Sequence, residues 1–197
     1  MYWTDEGYLL SKNNFDENSL IIEVFTLNHG KYSGLVYGGS SRKQKRIFQI
    51  GNKILLNWRS KSENKPGYFN VELINPVVPL FIDDKKRSIS ILSAASILKI
   101  LLPERQINEK IYENFEKLLN NLKTDDWINL YIKWELTLIK DLGYESKLSS
   151  DYDYNIKDNI KIKKALSSNK KLLIENFILP NKLKFPLYRN ILENYYS

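Results

Sequence analysis

Between Lys31 and Lys65 the chain carries nine Lys or Arg residues against one acid, Glu63, a local charge of +8 in a protein whose whole formal charge is +7. Cations at that density hold polyanions, because each neutralised phosphate releases condensed counterions. At the centre of the cluster, Gly38-Gly39-Ser40-Ser41-Arg42-Lys43 opens a small-residue loop that presents Arg42, Lys43, Lys45 and Arg46. Its spacing does not match a phosphate loop of nucleotide hydrolases, and no dinucleotide glycine fingerprint is present. Lys31, Arg59 and Lys61, from the flanking segments, complete the candidate phosphate contacts. Tyr32, Tyr37, Phe48, Trp58 and Tyr68 interleave the basic residues and offer stacking surfaces, although strand alternation must send some of them into a core. Residues 161–197 form a second basic region, with eight Lys or Arg against Glu175 and Glu193. Its apolar Leu172, Leu173, Ile174, Phe177 and Leu179 fit either an extension of the polyanion path or a groove for an acidic, apolar-ended peptide.

Catalytic chemistry has thinner support. His29 is the only histidine and stands beside Gly30; a general base needs an orienting partner, and with none near it in sequence His29 reads as a turn residue. The acid pairs Asp5-Glu6, Asp83-Asp84, Asp125-Asp126 and Asp151/Asp153 raise a metal-dependent nuclease as an alternative. Asp125-Asp126 equally suits the positive end of a helix, and Asp151 to Tyr154 a solvated loop. The chain has no cysteine, which removes disulfides and thiolate zinc sites. No cofactor is expected.

The elements that must carry these residues change character near Pro76 to Pro79. Before that point, runs rich in Val, Ile, Tyr, Phe and Trp are broken at close intervals by Gly, Asn and Asp. They predict five strands: Gly7–Lys12, Ser19–Leu27, Lys31–Tyr37, Ile47–Arg59 with an interruption at Gly51-Asn52, and Tyr68–Ile74. Asn28-His29-Gly30 reads as a tight turn, and Gly34, Gly38 and Gly39 permit sharp bends. Five bent strands in so short a span predict an OB-type barrel, a fold that often binds single-stranded nucleic acid. Beyond the prolines the apolar period becomes helical over Ser88–Leu102, over Asn108–Lys123, from a cap at Thr124 to Gly143, over Ile160–Leu166 and Lys171–Ile178, and from Pro186 to about Tyr195. The expected architecture is α+β and multidomain, with a five-stranded OB barrel over residues 1–79 followed by an all-α domain over residues 80–197.

With 43% hydrophobic and 27% charged residues the chain is globular, and its pI near 9.3 favours nucleic acid or an anionic surface as partner. Met1 to Glu6 has neither the basic start nor the apolar stretch of a signal peptide, and no apolar run spans a bilayer. No membrane association and a cytoplasmic location are expected.

The order of several segments resembles the RecO family of bacterial recombination mediators. Trp3-Thr4-Asp5-Glu6-Gly7-Tyr8-Leu9-Leu10-Ser11 is followed by Asn18 to Thr26, by His29-Gly30, by Gly34 to Arg42 and by Gln49-Ile50-Gly51-Asn52, an arrangement similar to that family's amino-terminal barrel. Trp134 to Tyr144 is similar to its central helix and glycine stop, and Phe185-Pro186-Leu187-Tyr188-Arg189 to its carboxy-terminal segment. The resemblance implies a nucleoid-associated bacterial protein of recombinational DNA repair without turnover. It implies binding of single- and double-stranded DNA, annealing of complementary strands, and engagement of RecR and of the acidic tail of single-stranded DNA-binding protein, so that RecA can load. Many members carry a four-cysteine zinc module after the Leu-Gly-Tyr segment; the stretch from Lys147 onward here has no cysteine. An RNA-binding OB module is the alternative from the residues alone.

Overall fold

The computed structural model describes residues 1–42, 44–61, 67–144 and 156–196, which fall into two compact units, Met1–Glu109 and Lys110–Ser197. In the first unit five strands, β1 (Tyr2–Asn14), β2 (Leu20–Thr26), β3 (Gly30–Val36), β4 (Lys53–Arg59) and β5 (Tyr68–Asn75), close into a barrel of order β1-β2-β3-β5-β4. Neighbours run antiparallel except at the closure, where β3 meets β5 in parallel at Leu35 and Tyr68 and the Leu35 N–H donates to the Gly67 carbonyl at 3.0 Å. This connectivity is that of an OB-fold. Alternate residues of the strands fill the interior, with Leu9, Ile22, Val24, Ile54, Leu56 and Phe69 fully buried.

β1 begins five residues earlier than the apolar pattern predicts. Its first half pairs Tyr2 to Tyr8 with Arg59 to Lys53, and the inward Asp5 is tolerated there because the β2–β3 turn saturates its carboxylate. The predicted strand over Ile47–Arg59 is only half formed. Residues before Lys53 fold as turns around the buried Phe48, and Asn52 donates from Nδ2 to the carbonyls of Arg46 and Ile47 at 3.0 and 3.1 Å. A short 3-10 turn (Val78–Phe81) leads to α1 (Lys85–Leu101), whose N-cap Asp84 accepts from the Arg87 N–H at 3.0 Å. The compact unit thus extends past the strands to take in this helix.

The second unit is helical: α2 (Glu109–Asn121), α3 (Trp127–Asp141), α4 (Asn159–Leu173) and α5 (Leu187–Asn194). Tyr112, Phe115 and Leu119 of α2, with Tyr131, Trp134 and Leu138 of α3, recur at three- and four-residue spacing and are buried. Two expectations are corrected here. The N-cap position of α3 is Asp126, two residues after the expected Thr124, whose hydroxyl donates to the Asn121 carbonyl at 2.9 Å. The two short helices expected after Ile160 are one: α4 continues through a π-helical turn, Ile174–Ile178, which absorbs the change of register without breaking the rod.

Candidate nucleic-acid interface

The β3–β4 connection carries the exposed cations. Its path is fixed from several sides: Ser40 Oγ donates to the Glu17 carbonyl at 2.7 Å, Gln44 and Lys45 N–H groups donate to the Ser41 carbonyl, and Asn52 Oδ1 accepts from the Val77 N–H at 3.0 Å. Arg42, Lys45 and Arg46 project from this framework into solvent, and none of the three makes an ion pair with another described residue. Lys43 lies outside the described residues. Lys12 donates its ammonium to the Phe48 carbonyl from below the loop, and burial, then Lys45, lower its pKa. The loop therefore holds a cluster of positive charge with no internal neutralisation, which is the electrostatic condition for binding phosphates.

The other predicted contacts divide. Arg59 and Lys61 are exposed at the far end of β4, and the Arg59 guanidinium sits 5.3 Å from the centre of the Tyr2 ring. Lys53 is neutralised by Glu6 at 3.1 Å. Lys31 is placed differently from the expectation of a phosphate contact. It is only 9% exposed and donates its ammonium to the Lys99 carbonyl at 2.7 Å. Burial lowers its pKa, opposed by Glu23 and Glu104 and assisted by Lys99. This lysine joins β3 to the end of α1 and is turned away from solvent.

Inside the same end of the barrel, aromatic rings are stacked. Trp3 lies flat on His29 at 4.1 Å and on Trp58 at 5.6 Å, with Tyr32 and Phe69 edge-on to Trp3. His29 does have an orienting partner, contrary to the sequence reading: Asp5 Oδ2 lies 2.8 Å from its Nδ1. The partner escaped notice because it comes from β1, 24 residues earlier in the chain. Burial would raise the Asp5 pKa, but hydrogen bonds from His29, from the Asn28 side chain and N–H, and from the Glu6 N–H outweigh it and hold the carboxyl below its ordinary range. Asp5 thereby pins the β2–β3 turn to β1, and the imidazole, flat against Trp3, packs as part of the aromatic cluster.

The second unit holds a polar network that the sequence reading missed. Glu135 of α3 and Arg189 of α5 are both 0% exposed and form a two-pronged ion pair, Nε to Oε1 at 2.5 Å and Nη2 to Oε2 at 3.1 Å. Tyr131 donates to Glu135 at 3.0 Å, Asn169 of α4 at 3.2 Å, and Arg189 reaches the Leu166 carbonyl at 2.6 Å. Burial would lower the Arg189 pKa, but Glu135, Tyr131 and Glu193 raise it. The available signal was positional: Glu135 falls on the apolar face shared by Tyr131 and Leu138. Of the second basic region, Lys161, Lys163 and Lys164 are exposed, whereas Lys170 and Lys171 pair with Glu193 and Glu175. A hollow of about 220 Å³ between α2 and α3 is walled by Leu118, Leu130 and Trp134 and edged by Lys117 and Lys133.

Of the acid pairs, Asp84 is occupied as a helix cap and Asp126 accepts from Asn129; Asp151 and Asp153 lie outside the described residues. Among the described residues no group of three or more His, Asp or Glu side chains is placed to hold a metal ion, and no helix is long and apolar enough to cross a membrane.

A closed OB barrel whose β3–β4 loop exposes Arg42, Lys45 and Arg46, joined in sequence to an all-α unit, defines an OB-fold protein with an appended helical domain. The chain belongs to the RecO family. Residues 1–77 match the family model described as Recombination protein O N terminal, and residues 83–164 match Recombination protein O C terminal. It is 36% identical over 151 residues to the DNA repair protein RecO of Roseobacter denitrificans, covering 76% of this chain and 63% of that protein. To the DNA repair protein RecO of Wolbachia sp. subsp. Drosophila simulans it is 32% identical over 205 residues, covering 100% of this chain and 85% of the relative. The protein of the same name from Cereibacter sphaeroides is 35% identical over 144 residues, 73% of this chain and 60% of its own length. The chain therefore spans less than two thirds of the Roseobacter and Cereibacter proteins.

Proposed function

We propose that this chain acts in DNA repair as a recombination mediator without turnover, one that binds single- and double-stranded DNA and anneals complementary strands. The observation that carries this reading is the set of exposed cations on an OB barrel, Arg42, Lys45 and Arg46 among them without an ion-pair partner among the described residues, in a chain of the RecO family. Residues 1–79 supply the DNA-binding barrel, and Arg42, Lys43, Lys45, Arg46, Arg59 and Lys61 contact phosphates, which position a strand without reading its sequence. Lys31, buried against α1, supports the fold in this scheme. Annealing follows from the same charges: a surface that screens two strands at once lowers their repulsion, and base pairing supplies the selection. RecR and the acidic tail of single-stranded DNA-binding protein are the partners in this scheme, and RecA loading onto the coated strand is the outcome.

The test is direct binding of matched DNA and RNA oligonucleotides, followed by fluorescence anisotropy without metal or nucleotide. Salt-sensitive DNA binding that is at least as tight as RNA binding is expected. A clear preference for RNA would replace this reading with an RNA-binding OB module, and absence of binding to either would leave the family likeness as one of fold.

A further inference from the structure

The outer face of the barrel carries a second kind of recognition chemistry at one end. Register places Tyr2 opposite Arg59 and Arg59 opposite Tyr68, so these three side chains stand side by side on β1, β4 and β5. Cross-strand neighbours of this kind lie about 5 Å apart. The next row, Trp3, Trp58 and Phe69, points inward and belongs to the core, so alternation assigns the Tyr-Arg-Tyr row to the outside. Tyr2 is 62% exposed, and Tyr37, 67% exposed, extends the row with its ring centre 6.0 Å from that of Tyr68. A hollow of about 410 Å³ lies against Tyr2, Arg59, Lys61 and Tyr68.

Exposure has not left Tyr2 loose. Its hydroxyl donates to Asn57 Oδ1 at 3.4 Å and lies 3.0 Å from Thr4 Oγ1, which itself donates to Asn57 Oδ1 at 2.8 Å. The Arg59 guanidinium lies over its ring. Two outward rows further along the strands, beyond the uncharged row Thr4, Asn57 and Asn70, the pattern is Glu6, Leu55 and Glu72; Glu6 is paired with Lys53 and Glu72 is exposed, so no net positive charge competes there for a phosphate with the Arg59 and Lys61 end. Fixed, exposed aromatic rings beside two cations are complementary to one partner chemistry: an unpaired nucleotide, with its base on a ring and its phosphate on a cation.

We infer that the Tyr2-Arg59-Tyr68 row, with Tyr37 and Lys61, is a base-stacking site for single-stranded DNA. The inference rests on the DNA-binding reading above and adds strand selectivity to it. In a duplex every base face is already covered by its neighbours, so the rings gain nothing from paired DNA, whereas the cationic loop serves both forms. Tyr37 is also the first residue after β3, so the stacking row leads directly into the loop that carries Arg42, Lys45 and Arg46.

Fluorescence anisotropy with short oligothymidylate and with a duplex of similar length tests the site in the wild type, Tyr2→Leu, Tyr68→Leu and Tyr2→Phe. Each leucine variant is expected to weaken oligothymidylate binding about tenfold, in line with the loss of one stacked base. Duplex affinity should stay within about twofold, and Tyr2→Phe should bind like the wild type because the ring is kept. Circular dichroism melts separate a folding defect at the partly buried Tyr68, and Tyr2 stays informative because it is exposed. Equal losses on both DNA forms, or no loss on oligothymidylate in either leucine variant, would overturn the stacking site while leaving the DNA reading in place. A wild type that bound neither form would overturn both.

Discussion

Replacing Arg42, Lys45 and Arg46 together by Ala should change how DNA binding depends on salt more than it changes the fold. All three side chains are exposed and none is paired with another described residue, so their removal exposes no buried partner and should leave the melting temperature nearly unchanged. Each lost phosphate contact lowers the slope of log K against log salt by about 0.7 on single strands, or roughly 2 for all three. Between about 50 and 200 mM salt the wild type should then lose roughly fifteen- to twentyfold more affinity than the variant. Anisotropy titrations of a labelled single strand across that range measure the two slopes. Lys53→Ala provides the contrast: its ammonium is already neutralised by Glu6, so the slope should barely move. Parallel slopes for the wild type and the triple variant would refute the assignment of the loop to phosphates.

Three further outcomes follow from contacts elsewhere. Arg189→Ala leaves Glu135 buried without its two-pronged partner and should cost roughly 3–5 kcal/mol in urea unfolding, most of it restored by the uncharged pair Glu135→Gln with Arg189→Met; equal stability of Arg189→Ala and wild type would contradict the network. Because the Asp5 pKa is depressed below its ordinary 3.8, its stabilisation is present above that value and lost as pH falls through the lower, folded one. Thermal melts should therefore fall more steeply below about pH 4 in the wild type than in Asp5→Asn, and matching profiles would reject the role given to Asp5. Gly30→Ala should destabilise the first unit by more than about 1 kcal/mol, since φ is +74° and a Cβ would lie 2.1 Å from the Gln106 carbonyl oxygen; unchanged chemical denaturation would argue against that close approach.

Alternation and glycine turns made the barrel legible in the sequence, while contacts that depend on closure were not. The strands β2, β3 and β5 follow their apolar patterns to within a residue or so, because each has one face inside. The first half of β1 was hidden by Asp5, an inward acid that only the distant Asn28-His29 turn makes tolerable. The same closure decides the basic residues. Arg42, Lys45 and Arg46 remain in solvent, but Lys31, equally basic in sequence, is carried by β3 against the carbonyl end of α1. The pairing of Glu135 with Arg189 was hidden for a related reason: the helical spacing puts Glu135 on the apolar face of α3, but only the fold brings Arg189 of α5 to it. The outward aromatics needed register, since only pairing with Arg59 places Tyr2 and Tyr68 in one row.

The most direct measurement of the central claim is the annealing rate of complementary labelled strands coated with single-stranded DNA-binding protein, with this protein titrated in at several salt concentrations and without metal or nucleotide. The account predicts acceleration that fades as salt rises and is sharply reduced in the Arg42, Lys45 and Arg46 triple variant. An annealing rate unaffected by the protein at low salt, or an acceleration that the triple variant retains in full, would contradict it.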